Sequence, residues 1–170
     1  MVRYLLIKCV LYLFNPIHPI CLPPEDFEDI EQKCESLGTC EPSKFMPHDC
    51  IGSGWGMTKP KVRRLPENQR WGKMKIWKKS ACLELGDVPL IMDDKIMCAG
   101  NSKKGESSVC HGDSGGPLAC LHNGKMVLVG IVSYGPPGCP EYSGWPILRR
   151  PPNFTRVKYY VDWIRNYTVN

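Results

Sequence analysis

The stretch Cys110-His-Gly-Asp-Ser114-Gly-Gly-Pro-Leu-Ala-Cys120 concentrates the chemistry of this chain. A serine set in Gly-Asp-Ser-Gly-Gly can present its hydroxyl on a tight turn. Its small neighbours let backbone N–H groups converge on one point, the geometry that holds an oxyanion. Taken alone, the motif reads as readily as a plain glycine-rich turn. The residues that follow supply a frame for it. Asn123-Gly124 is a tight-turn dipeptide, and Lys125 to Tyr134 (Lys-Met-Val-Leu-Val-Gly-Ile-Val-Ser-Tyr) is a β-branched run, which together predict a β-hairpin.

Working outward, residues Lys73 to Lys79 alternate imperfectly, with Met74 and Ile76 opposite Lys73, Lys75 and Lys79, as in a half-buried strand. Near the C-terminus Val157, Tyr160, Val161 and Ile164 fall at i, i+3, i+4 and i+7, the stripe of a short amphipathic helix. Sixteen glycines and sixteen prolines in 170 residues favour short strands joined by turns over long helices. The expected fold class is therefore all-β with one terminal helix. Apolar content of 42%, charge of 23% and a mean hydropathy of −0.28 are those of a globular chain, and five Trp with seven Tyr exclude wholesale disorder. No apolar stretch is long enough to span a membrane, so no membrane partner is expected.

Ten cysteines (Cys9, Cys21, Cys34, Cys40, Cys50, Cys82, Cys98, Cys110, Cys120 and Cys139) are too many for a reduced compartment without a metal. No Cys-x-x-Cys or His-x3-His pair occurs, so neither metal nor cofactor is expected, and a disulfide framework in a secreted chain is the better reading. The sequons Asn153-Phe-Thr155 and Asn166-Tyr-Thr168 agree with secretion, and Asn153 and Asn166 are candidate glycosylation sites. Met1-Val-Arg3 followed by Tyr4 to Phe14 has the basic start and apolar centre of a leader. Lys8 inside the apolar stretch and Asn15-Pro16 after it favour a buried strand instead.

Charge is unevenly spread. Between Lys59 and Lys79 nine basic residues face one acid, Glu67, for a net +8, whereas the whole chain carries only +5. From Pro24 to Glu41 seven acids oppose Lys33. The basic run is either a solvated strand face or a site for a heparin-like polyanion. No nucleic-acid-binding motif accompanies it, and nucleic acid is not an expected partner.

Several segments, in order along the chain, resemble the chymotrypsin-like serine proteases, the trypsin family. Pro19-Ile-Cys-Leu-Pro23 resembles the segment joining that family's two β-barrels, and Cys50-Ile-Gly-Ser-Gly-Trp-Gly56 the opening strand of the second. Ile96-Met-Cys-Ala-Gly100, Gly130-Ile-Val-Ser-Tyr-Gly135 and Phe154-Thr-Arg-Val157 through Trp163 resemble later strands and the terminal helix. The resemblance implies the second, six-stranded type of barrel over residues 19–170, with insertions near 24–41 and 140–151. Residues 1–18 would be a remnant strand of a first barrel that is mostly absent, together with the start of the linker. A second barrel without the first exposes an apolar face, open to an upstream chain or a partner protein.

The resemblance also implies roles. Ser114 corresponds to the nucleophile, the amides of Gly112 and Ser114 to the oxyanion hole, and Asp113 to the carboxylate that receives an N-terminal ammonium on activation. Ser108 corresponds to the base of the substrate pocket, with Ser133 and Gly135 along its side. The implied disulfides are Cys50–Cys120, Cys82–Cys98 and Cys110–Cys139. Cys21 matches a cysteine that often tethers an upstream segment.

The departures bear on activity. A serine hydroxyl is a weak nucleophile until a base takes its proton. The family's base sits in an Ala-Ala-His-Cys type motif, and no such segment occurs here. His18, His48, His111 and His122 do not substitute for it. Arg3 in Arg3-Tyr-Leu-Leu-Ile-Lys8 falls where the family's Asp belongs, and Pro152 falls at a pocket-wall position usually held by Gly. No activation sequence of the family type is present, so Asp113 has no evident ammonium partner. Three readings follow. The chain is a truncated or incomplete serine endopeptidase acting on peptide or protein substrates when whole and inactive alone, a catalytically dead homologue that binds a partner, or a disulfide-rich module keeping a relic motif.

Overall fold

The computed structural model describes residues 19–24, 50–58, 65–77, 79, 82, 94–101, 107–135 and 151–168. Within them six strands form one antiparallel barrel: β1 (Cys50–Gly54), β2 (Arg70–Ile76), β3 (Ile96–Gly100), β4 (Pro117–His122), β5 (Lys125–Tyr134) and β6 (Asn153–Arg156). The closed order is β1-β2-β3-β6-β5-β4. A 3₁₀ turn (Val157–Tyr160) leads into one helix, α1 (Val161–Thr168). The all-β expectation with a terminal helix thus describes the molecule, and the expected six-stranded barrel is closed.

Local chemistry explains the long hairpin. Asn123 and Gly124 both adopt positive φ, 48° and 75°, which a two-residue turn between right-twisted strands requires. That turn fixes His122 opposite Lys125 and sets the register of β4 on β5. Alternation along β5 then sends Val127 and Val129 inward, at 3% and 4% exposure. The predicted alternation around Lys73 is β2, where Met74 and Ile76 point into the core. This strand ends at Ile76, short of the predicted Lys79. Beyond it, Lys79 ties the connection to Asp94, with Nζ 2.6 Å from Oδ1. The ammonium holds the Asp94 carboxyl below its ordinary value, so the pair persists above the usual carboxylate range and is lost as pH falls through the lowered value.

One apolar cluster fills the barrel, centred on Leu118 and Phe154, both 0% exposed, with Met74, Met97, Val109 and Val132 around them. Gly130 lets β5 cross this centre, since a Cβ there would lie 3.2 Å from the Cβ of Phe154. Disulfides join Cys50 to Cys120 across the β1–β4 pair and Cys82 to Cys98 on β3. Cys21 is a free, exposed cysteine whose segment lies along β5, its carbonyl accepting from Leu128 N at 2.9 Å. Cys9, Cys34 and Cys40, the leader-or-strand segment and both insertions lie outside the described residues, apart from Pro24 at the edge of the first and Pro151 at the edge of the second.

Large apolar side chains do remain on the surface, among them Trp55, Leu65, Trp71, Trp163 and Tyr167. Trp163 and Tyr167 pack on each other along α1, with ring centres 5.1 Å apart. Among the described residues no helix is long and apolar enough to cross a membrane.

Candidate active site

The loop from Cys110 to Gly116 is pinned at both ends and bent by two residues of positive φ, Gly112 at 96° and Gly115 at 81°. On its N-terminal side Val109 is buried in the core and Cys110 is disulfide-bonded. On its C-terminal side Gly115 N donates to Val132 O and Val132 N donates to Gly116 O, both at 2.9 Å, which ties the loop to β5. Inside the loop Asp113 N donates to Cys110 O at 3.0 Å and Gly116 N to Asp113 O at 2.8 Å. Three amides, those of Asp113, Gly115 and Gly116, are thus committed. The amides of Gly112 and Ser114 donate to no group among the described residues. With the His111 amide, likewise uncommitted among the described residues, they are open donors in the same tight loop that carries the exposed Ser114, and open amides of this kind can receive a developing oxyanion.

Asp113 is the keystone of the loop. Its carboxylate accepts from Gly56 N at 2.7 Å and from Cys110 N at 2.9 Å. Where the family resemblance implies an ammonium partner, two backbone amides occupy its oxygens. Gly54 and Gly56 make this approach possible, because a Cβ on either would run into the carboxylate. Hydrogen bonds to an ionised acceptor are the stronger kind. Asp113→Ala is expected to destabilise the chain by about 2 kcal/mol and to speed amide exchange at Gly115 and Gly116 while Leu128 stays protected. Unchanged exchange in the loop would contradict this role.

The remaining predicted residues fall around the loop. Ser133 is the extra residue of a bulge: Val132 pairs with Phe154 and Tyr134 with Asn153, leaving Ser133 exposed beside the loop. Gly135 follows it, in close contact with Pro152, whose Cβ is 3.2 Å from where a Gly135 Cβ would sit. Pro152 is fully buried and also abuts Gly100. The Ser108 hydroxyl is buried and has no hydrogen-bond partner among the described residues. His111 is exposed, and His122 Nε2 lies 3.2 Å from Asn123 Nδ2. The Ser114 hydroxyl bonds to neither. His18, His48 and Cys139 lie outside the described residues.

Of the two sequon asparagines, Asn153 is 4% exposed within β6 and Asn166 is exposed on α1. Among the described residues no three His, Cys, Asp or Glu side chains gather into a metal-binding group. Sequence reasoning missed Gly54 and Gly56 as partners of the Ser114 loop, and Leu65, whose Cδ2 lies 3.4 Å from a Cβ position on Gly112. The alternating glycines of Gly52-Ser-Gly54-Trp-Gly56 were the available signal of a close backbone approach.

Comparison with known proteins agrees with this geometry. The sequence profile of the family described as Trypsin matches residues 13–164. Kallikrein-11 of Mus musculus is 35% identical over 160 residues, covering 94% of this chain and 47% of that protein. Tissue-type plasminogen activator of Homo sapiens is 30% identical over 155 residues, covering 88% of this chain and 24% of that protein. Among solved structures, neuropsin, a serine protease expressed in the limbic system of mouse brain, superposes with a TM-score of 0.62 at 27% identity. That match covers 89% of this chain and 54% of neuropsin. The chain therefore spans about half the length, or less, of the relatives it matches.

Proposed function

The chain belongs to the trypsin family of serine proteases, and from that premise we propose that its 170 residues are the nucleophile-bearing half of a secreted serine endopeptidase, inactive alone. The observation that supports this is the loop at Ser114: an exposed serine on a tight turn braced by Asp113, with the amides of Gly112 and Ser114 uncommitted. In acyl transfer a base takes the hydroxyl proton as Oγ bonds the scissile carbonyl carbon, and the carbonyl oxygen becomes an oxyanion. Here Gly112 N–H and Ser114 N–H would hold that oxyanion, and collapse of the intermediate would expel the amine, which takes up the proton.

What the 170 residues do not supply is the base with its orienting carboxylate. Neither His111 nor His122 bonds Ser114, and the sequence contains no His-bearing motif of the family type. A protein joining this barrel to a His- and Asp-bearing barrel is expected to react with a fluorophosphonate at Ser114, and its Ser114→Ala variant to remain unlabelled. Absence of labelling in the joined protein would overturn the nucleophile assignment.

A second reading, a non-catalytic homologue that binds a partner through the retained site, draws support from Pro152. Its ring packs where a Cβ on Gly135 would lie, on the side where the resemblance puts the substrate pocket and at a position the family usually gives to Gly. Serine at position 108 instead of a carboxylate bears on preference and not on activity: it removes the charge that would attract Lys or Arg and leaves an apolar or mixed preference.

Secretion is supported by the disulfides, since paired cysteines persist in oxidising compartments. Of the two sequons, Asn166 is the better acceptor, because a sugar on Asn153 would have to fit inside the barrel wall. Protein secreted from a eukaryotic host is expected to lose one glycan on treatment with peptide N-glycosidase, and Asn166→Gln to abolish that shift. A glycan mapped to Asn153 by mass spectrometry would contradict the assignment.

A further inference from the structure

We infer that the outward face of β2 is a docking surface for a sulfated polysaccharide, independent of any chemistry at Ser114. The basic run from Lys59 to Lys79 is the strongest charge feature of the sequence, at +8 in a chain whose net charge is +5, and nothing in the nucleophile loop uses it. Strand β2 gives part of that run a defined direction. Met74 and Ile76 are 2% exposed and fill the core, so the residues of opposite parity, Trp71, Lys73 and Lys75, face away from it. Successive side chains on that face stand about 7 Å apart. Arg70 has the parity of Met74 and Ile76 but is exposed at the start of the strand, next in sequence to Trp71, which is 71% exposed.

The described cross-strand neighbours of this face are uncharged. Across the β1–β2 pair Ser53 lies opposite Trp71 and Ile51 opposite Lys73. Beyond Lys73 the carboxamide of Asn101 donates to Lys73 O at 2.7 Å. No carboxylate stands at any of these positions. Lys79 lies beyond the end of β2, paired with Asp94, and is not part of this surface. Lys73 and Lys75 have partners within the fold, so an incoming anion competes for them, and its advantage is the number of charges it presents at once. A flexible chain of sulfates meets several cations together and releases its counterions, which makes such binding steep in salt. The Trp71 indole adds a flat apolar surface for a sugar ring. A disulfide-bonded chain also points to a polyanion of the oxidising, extracellular side, which favours a sulfated polysaccharide over nucleic acid.

The test uses the full 170-residue protein and heparin as the probe. Heparin is expected to bind at about 0.15 M salt, and the combined change Arg70→Glu, Lys73→Glu and Lys75→Glu to raise Kd by at least about ten-fold. The charge-matched control Lys95→Glu, Lys125→Glu and Lys158→Glu is expected to change it by less than about three-fold. Should the reversed strand fail to fold, the milder Arg70→Gln with Lys73→Gln is expected to weaken binding and flatten its salt dependence. No binding by the unaltered chain, equal loss in the control, or equally tight binding of duplex DNA would each overturn the proposal.

Discussion

Phe154→Ala is expected to cost about 3–5 kcal/mol, the largest single-residue effect in this barrel. Phe154 is 0% exposed and occupies the centre of β6, which pairs with β3 on one side and β5 on the other. The site cannot collapse to fill the space. Its ring packs in the same cluster as Leu118, Val132 and Met97, each fixed by a strand of the closed barrel. Gly130, diagonal to it across the β5–β6 pair, has no side chain to move in. Both the lost transfer energy and the residual cavity therefore count in full. With total stabilities of about 5–15 kcal/mol for a domain, most of the margin would go. Urea unfolding followed by tryptophan fluorescence checks this, and a loss under about 1 kcal/mol would contradict the packing described.

The second large effect is expected from Cys50→Ala with Cys120→Ala. The bond closes a span of 70 residues, and the chain entropy it removes from the unfolded state corresponds to about 4 kcal/mol. It matters here because the span contains β2 and β3, whose connections cross long stretches of sequence. Cys50 and Cys120 are also register partners on β1 and β4, each 1% exposed, so the folded state offers no solvation to replacements. The paired variant should unfold at markedly lower urea under non-reducing conditions, with a larger slope as its unfolded state expands. An unchanged midpoint would show that strand pairing alone closes β1 on β4.

These two residues also mark what the sequence did and did not disclose. The hairpin at Asn123-Gly124 and the β5 run after it were legible because both signals are local: positive φ demands such residues, and β-branched side chains suit a pleated surface. The terminal helix was half legible. The spacing of Val157, Tyr160, Val161 and Ile164 describes one stripe, but the first turn is 3₁₀, with Val157 drawn tightly into the core. Strands β3 and β6, at five and four residues, are too short for periodicity to identify. Their pairing, which closes the barrel, came into view only through the family resemblance.

The site was legible to the same degree. The tight turn at Ser114 reads directly from Gly112-Asp-Ser-Gly-Gly116. The partners of Asp113 do not, because Gly56 lies 57 residues away and acts through its backbone amide, which no side-chain pattern reports. Ser133 as a bulge residue was equally hidden, since a bulge is a property of two strands together.

The central claim is that these 170 residues hold a serine nucleophile without the base that would activate it. The most direct measurement is hydrolysis of a panel of chromogenic peptides by the purified chain, run beside its Ser114→Ala variant. Equal rates for the two proteins, at the level of buffer, are the predicted result. Turnover by the unaltered chain that disappears with Ser114→Ala would contradict the account, because an activating group would then have to lie within these residues.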